Sequence, residues 1–263
     1  MAQQHEIFMQ TRYYLAAYSF CFKSPAVKAM LFAAGLGTRL KPFTDQHPKA
    51  LALVNGRTLL EHNIRYLQKA GIQEVVVNVH HFAEQIEQLL LAHHGFGSTV
   101  HISDERSEVL ETGGGLMKAA PFFTEGDFVV MNVDILTDLD LAPMIAAHRA
   151  QQSLATLAVM NRPSSRQLLF DSDMQLCGWK NTQTGELRIA HASPGQKEFA
   201  FSGIQVINSS FLPLVRQQGK FSIIDTYLDL AATKPIAGFD HTGSQLLDVG
   251  KPESLVRAEL LFP

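Results

Sequence analysis

Cysteine is scarce: Cys21 and Cys177 are the only two in 263 residues, and neither falls in a C-x-x-C or other metal-ligand spacing. That argues against a disulfide scaffold and a structural zinc site, and points to a reducing, cytoplasmic compartment. Long basic runs are missing as well. With 22 Lys and Arg against 25 Asp and Glu, the net charge is −3, so the chain lacks the sequence-independent phosphate grip of a nucleic-acid binder. No membrane partner is expected either. Residues 13–22 (YYLAAYSFCF) are apolar but fall short of the roughly 20 residues that a span needs. Only Arg12 supplies positive charge ahead of them, and 24–27 (SPAV) match a leader cleavage site poorly. Residues 1–26 are therefore read as an extension outside the fold, of the kind an upstream start codon adds. The domain proper is expected over 27–263.

What is present is an ordinary globular composition, 46% hydrophobic and 18% charged, enough for one large core. From Val27 onward, short apolar runs alternate with helical stretches, as in β-α-β units. Strands are expected at 29–33 (AMLFA), 74–79 (EVVVNV) and 128–132 (FVVMN). A helix over 58–69 puts Leu59, Leu60, Ile64 and Leu67 on one face, with Thr58 as its N-cap. Further helices are read at 83–93 and 141–151. The fold class is thus α/β, a doubly wound and mostly parallel sheet. Beyond residue 150 the short strands at 154–160, 168–173, 176–179, 186–190 and 200–207 read as a small β insertion. A helix follows at 224–232, and 246–249 is expected to return to the main sheet as a late strand.

The segment with the most chemistry is 31–49, LFAAGLGTRLKPFTDQHPK. Gly35 and Gly37 would let backbone N–H groups approach phosphate oxygens that a Cβ would block. Arg39 offers a planar fork of donors and Lys49 a point charge, the pair that a phosphoryl group and a leaving pyrophosphate require. Neither the P-loop nor the dinucleotide spacing is met, since Leu40 stands where a third glycine would be. Asp134 closes an apolar strand, where open α/β sheets place ligand crevices, and a carboxylate there suits Mg2+. Asp138, four residues on, reads as a cap. Asn78 ends another strand and could serve a base edge or a sugar. Glu111-Thr112-Gly113-Gly114-Gly115 could let backbone lie flat on a nucleobase, or could be a flexible turn. The pairs His80-His81 and His93-His94 carry no metal reading, because neighbours on a strand point to opposite faces and His93-His94 closes a helix where dipole and solvent suit it.

The full string A-A-G-x-G-T-R-x-x-P-x-T-x-x-x-P-K resembles the signature of the sugar-1-phosphate nucleotidyltransferases, over 27 to about 255. The resemblance implies a Rossmann-like nucleotidyltransferase fold with the β insertion on the substrate side, 27–150 being the nucleotide-binding half and 151–263 the sugar-binding half. It implies NTP phosphate contacts from Ala33, Ala34, Gly35, Gly37 and Thr38, with Arg39 and Lys49 catalytic. Nucleotide contacts are further implied for Asn78, Thr112, Gly113 and Gly114. Leu247-Asp248-Val249-Gly250 resembles the segment of the family's second metal ligand, so Asp134 and Asp248 would share Mg2+. Val133 departs from the glycine usual before the first of them. Gly178, Trp179 and Lys180, with Ser202 and Gly203, resemble segments near the sugar, although the family's E-K-P motif is absent and Trp179 could equally fill core.

E-T-G-G-G and N-x-H-H at 78–81 look most like the N-acetylmuramic acid α-1-phosphate uridylyltransferases of cell-wall recycling. The expected activity is Mg2+-dependent transfer from an NTP, UTP first, to a sugar 1-phosphate, giving a nucleotide sugar and pyrophosphate. The rivals are a guanylyl- or cytidylyltransferase of the same fold, and a non-catalytic nucleotide-sugar sensor. Either a monomer or a homodimer fits the sequence.

Overall fold

The structure is a computed structural model that describes residues 26–262. Of the 26 residues read as an extension, 1–25 lie outside the described residues. In chain order the strands are β1 (Lys28–Phe32), β2 (Leu53–Val54), β3 (Arg57–Thr58), β4 (Glu74–Val79), β5 (Thr99–Asp104), β6 (Asp127–Asn132) and β7 (Ile135–Thr137). The second half adds β8 (Ala155–Met160), β9 (Arg166–Phe170), β10 (Leu176–Asn181), β11 (Leu187–Ile189), β12 (Lys197–Asn208), β13 (Ile236–Asp240) and β14 (Leu246–Asp248). The helices are α1 (Leu59–Lys69), α2 (Ala83–Ala92), α3 (Glu111–Ala119), α4 (Leu141–Gln151), α5 (Ile223–Ala231) and α6 (Pro252–Leu261).

Ten strands form one sheet. Its parallel part runs β6-β1-β4-β5, and β12 lies antiparallel beside β6. From β12 the antiparallel strands β9, β10 and β11 continue outward, while β8 pairs with β12 and carries β13 parallel to itself. Because β6 and β8 both oppose β12, they end at the same edge of the sheet. This carboxyl edge is where the motif residues gather.

β1 shows why the sheet is covered on both faces. Ala29 and Leu31 join one core cluster with Leu60, Ile64 and Leu67 of α1, while Met30 between them joins a second with Val76, Val130 and Phe128. A strand with apolar residues at consecutive positions, as at Ala29, Met30 and Leu31, needs packing on both sides. Helix α1 starts where Thr58 Oγ1 accepts the amide of Glu61 at 3.1 Å, a cap worth about 1 kcal/mol. Its fully buried Leu60, Ile64 and Leu67 each contribute about 2 kcal/mol of burial. Gly71, at φ 79°, lets the chain turn off the helix into β4.

Several elements differ from expectation. The strand at Leu246–Asp248 does not return to the main sheet; it pairs antiparallel with β7 in a separate two-stranded ribbon. The three glycines at 113–115 are neither a turn nor a helix lead-in, but lie within α3, buried. Two strands of the main sheet were not foreseen. β5 mixes polar and apolar residues because it is an edge strand, and β13 is a five-residue run (IAGFD) holding a glycine.

Candidate active site

The loop leaving β1 is held by a buried polar latch. Oδ1 of Asn78, at the end of β4, accepts the amides of Ala33 at 2.6 Å and Ala34 at 3.3 Å. Its Nδ2 donates to Glu105 Oε1 at 2.7 Å, and Glu105 Oε2 accepts the amide of Leu110 at 3.2 Å. Asn78 is 2% and Glu105 0% exposed. A Cβ on Gly115 would stand 2.7 Å from Glu105 Oε1, so α3 can lie against the latch only with glycine there. Asn78 lines the crevice, yet its Oδ1 and one Nδ2 hydrogen are engaged inside the protein, so what the structure gives it there is the task of fixing the backbone of Ala33 and Ala34.

Past the latch the chain folds back on itself at Gly37. Its φ is 60°, and a Cβ would meet Thr44 Cγ2 at 2.9 Å and Lys49 Cβ at 3.2 Å, while Thr44 Oγ1 donates to its carbonyl at 3.0 Å. That close approach aims Lys49 across the crevice. Gly35 instead faces open space. Thr38 and Arg39 follow in a short 3-10 turn, Thr38–Leu40.

Two cations and two carboxylates converge as two pairs. Lys49 Nζ is hydrogen-bonded to Asp134 Oδ2, both side chains being mostly buried. Arg39 reaches Asp248 Oδ2 at 3.5 Å in a half-exposed contact. The carboxylates are neighbours through the β7–β14 ribbon: Asp248 pairs with Ile135, and the amide of Val249 donates to the carbonyl of Asp134 at 2.8 Å. At Gly250 a Cβ would lie 2.6 Å from both Arg39 Nη2 and Asp248 Oδ1, which explains a glycine at that position. Val133, unusual before the first carboxylate, causes no local misfit. Its side chain is 3% exposed in the core, its amide donates to Phe32 O at 3.1 Å, and Asn63 Nδ2 donates to its carbonyl at 2.8 Å.

A cavity of about 240 Å³ joins these parts, lined by Ala33, Gly35, Lys49, Glu105, Glu111, Thr112 and Asp134 among others. Gly113 and Gly114 are turned away from it, against expectation. A Cβ on Gly113 would strike the Phe221 ring at 2.2 Å and one on Gly114 the Gly219 carbonyl at 2.1 Å; these glycines let α3 pack on the 219–221 segment. The hydroxyl of Thr112, at the cavity wall, accepts the amide of Ile223 at 3.0 Å and keeps its own O–H to donate. A larger cleft of about 570 Å³ beside α1, lined by Arg57, Tyr66, Lys69 and Asp138, contains none of the motif residues. Size does not locate the chemistry here.

On the far side of β6, Gly203 has φ 74° at a bulge in β12, where a Cβ would meet Asn132 Nδ2 at 2.9 Å. Ser202 is 1% exposed and hydrogen-bonds His241 Nε2 at 2.7 Å. Burial, and secondarily the charge of Arg162, holds His241 below its ordinary pKa. Gly178 is a correction: it is buried between strands, its open side closed by the Arg188 carbonyl at 2.8 Å. Trp179 packs on the second core cluster, and Lys180 is paired with Glu198 at 2.5 Å. Glu105, Asn132 and Arg162 were not singled out in the sequence. Glu105 follows the unforeseen edge strand, and Arg162 looks like any loop arginine until its burial is seen.

A small-residue loop, two cations and two carboxylates at the carboxyl edge of a parallel sheet define an α/β protein of the phosphate-handling kind. The chain belongs to the nucleotidyl transferase family, whose model matches residues 28–170. It is 45% identical over 108 residues to the N-acetylmuramate alpha-1-phosphate uridylyltransferase of Caulobacter vibrioides, a match covering 40% of this chain and 45% of that one. With the enzyme of the same name from Neisseria meningitidis it shares 38% over 128 residues, covering 49% and 54%. These matches span about half the length of the curated relatives. HddC of Yersinia pseudotuberculosis superposes with a TM-score of 0.73 over 90% of this chain and 100% of its own, at 23% identity, a likeness of fold. Among the described residues no helix is long and apolar enough to cross a membrane.

Proposed function

We propose that the protein transfers a nucleoside monophosphate from an NTP, UTP first, to a sugar 1-phosphate, N-acetylmuramic acid 1-phosphate first, and releases pyrophosphate. The observation that carries this reading is the paired arrangement of Lys49 with Asp134 and Arg39 with Asp248 beside a latched small-residue loop. The relatives named above supply the choice of base and sugar.

The donor set fits a magnesium ion. Asp134 and Asp248 are hard oxygen ligands, few in number, and each pair above uses one carboxylate oxygen and leaves the other outside it. When bound, the ion would withdraw charge from the triphosphate and from the group in transfer. The chain's own groups do the rest. The latched loop holds the triphosphate, Gly35 gives phosphate oxygens access to backbone, and Arg39 and Lys49 turn from the carboxylates to the phosphates as these arrive. An oxygen of the sugar phosphate attacks the α-phosphorus in line, the bond to the bridging oxygen breaks, and pyrophosphate leaves. No protein base is needed, because the attacking oxygen is already ionised. Gly203, Trp179 and Lys180 would border the sugar, with Ser202 buried behind them against His241.

The test is pyrophosphate release with Mg2+ across UTP, dTTP, GTP, CTP and ATP. Each is offered N-acetylmuramic acid, N-acetylglucosamine, glucose and mannose 1-phosphates. UTP with N-acetylmuramic acid 1-phosphate should give the highest kcat/KM; another productive pair would reassign the substrates, and nucleotide binding without turnover of any pair would reject transfer.

A further inference from the structure

The acceptor side of the crevice contains a cation that the motif residues leave without a task. Arg162 lies two residues past the end of β8, at the same sheet edge as Asn132 and Asp134. Its Nη2 donates to the carbonyl of Phe201 at 3.1 Å, beside the bulge at Gly203. Among the described residues its buried Nε has no partner and the guanidinium forms no salt bridge. Burial pushes its pKa down, with the charge of Asp248 acting in the opposite direction.

We propose that Arg162 is the seat for the phosphate of the acceptor substrate, holding the sugar 1-phosphate beside Asp248 while its free oxygen attacks. This assignment rests on the nucleotidyl-transfer reading. Strand order supports the side: the Asn78–Glu105 latch is on β4 and just past β5, the carboxylates follow β6 and end β14, and Arg162 follows β8 beyond β12. A ligand pair spanning the crevice from the β1 loop across Asp134 therefore presents its acceptor to Arg162. Lys180, a cation of the β insertion, is already matched by Glu198 at 2.5 Å. A half-buried guanidinium with an orphaned Nε is short of an anion that offers several oxygens, and a phosphate monoester is such an anion. Arg162 exchanges no proton in the reaction. It would bind oxygens that do not attack, so that the attacking one faces the α-phosphorus.

Calorimetry on the full chain tests this with two probes, inorganic phosphate and a non-hydrolysable UTP analogue, on wild type, Arg162→Met and Arg162→Lys. Arg162→Met should weaken inorganic phosphate by about 10- to 100-fold, and Arg162→Lys should recover part of the loss. Affinity for the UTP analogue should stay within about twofold, since Lys49 and Arg39 are untouched. In turnover the loss should fall on the KM for the sugar 1-phosphate. Phosphate affinity unchanged in Arg162→Met, or lost in step with the analogue, would overturn the assignment. So would a lower melting temperature with unchanged phosphate affinity, which would leave Arg162 as a brace for Phe201. If wild type turns over no NTP and sugar pair while phosphate binding still depends on Arg162, transfer fails and the anion seat stands.

Discussion

Strand β6 has a carboxylate at its first residue and another two residues past its last, and the two are treated in opposite ways. At the start, Asp127 is saturated: Arg149 Nε donates to it at 2.7 Å, Asn208 Nδ2 at 2.8 Å, and His148 Nε2 lies 3.4 Å away. At the end, Asp134 has one side-chain partner, Lys49, and Asp248 next to it has a half-exposed Arg39. The hydrogen bond from His148 first, then those from Arg149 and Asn208, hold the carboxyl of Asp127 well below the usual carboxylate range. A group fully matched by its own protein has nothing left for a ligand. One matched by a cation that can turn away does.

The largest effect should come from the unsaturated end. Asp134→Asn is expected to lower kcat by about 10³-fold, equal to about 4 kcal/mol of transition-state stabilisation. Its unfolding free energy, measured by urea titration, should change by only about 1 kcal/mol. A stability loss as large as the activity loss would mean that the two ends of β6 do the same job.

Asp127→Asn should show the reverse. Leaving His148 and Arg149 without their carboxylate is expected to cost about 3 kcal/mol of stability, with kcat/KM per folded molecule unchanged. The sign with pH follows from the direction of the shift. A carboxyl depressed in the folded state stabilises fully above its unfolded value of about 4 and loses that contribution as pH falls toward the folded value. The gap between wild type and Asp127→Asn should therefore be constant from neutral pH down to about 4 and shrink below it. A gap that widened in acid would break the comparison.

How much of this contrast could be read beforehand depends on range in sequence. The loop at 33–37, the N-cap at Thr58 and the apolar run of β6 are local, and each announces itself within a few residues. Partners far apart do not. Lys49 and Asp134 are 85 residues apart and Arg39 and Asp248 are 209 apart, so each was visible as a type while the pairing was not. The glycines at 113–115 mislead for the same reason. A run of three suggests backbone offered to a ligand, yet Phe221 and Gly219 impose two of them and Glu105 the third. Asp127 and His148 gave no signal, because a carboxylate opening a strand and a histidine in the last turn of a helix are ordinary in composition.

The latch is intermediate between the two ends, since it is buried like Asp127 and yet shapes the loop beside Asp134. Asn78→Ala strips the amides of Ala33 and Ala34 of their acceptor and Glu105 Oε1 of a donor, and should cost about 2 kcal/mol of stability. Because the loop rather than the chemistry is disturbed, the NTP KM should rise about tenfold with kcat less affected. Equal loss in kcat would mean that Asn78 acts on the reacting groups themselves.

The smallest stability effect is the sharpest test of the comparison. Arg39 and Asp248 are 57% and 47% exposed and 3.5 Å apart, so water screens most of their attraction and holding two side chains in place costs entropy. Arg39→Gln should therefore change unfolding free energy by less than about 0.5 kcal/mol, and added salt should not alter that difference measurably. Yet the same substitution should lower kcat/KM by about 100-fold, because the guanidinium's energetic return comes only when phosphate replaces the carboxylate as its partner. A melting curve and a rate from one preparation settle the matter. If Arg39→Gln melted several degrees lower, the pair would be a structural clamp like that at Asp127, and the open end of β6 would differ from the closed one in exposure alone.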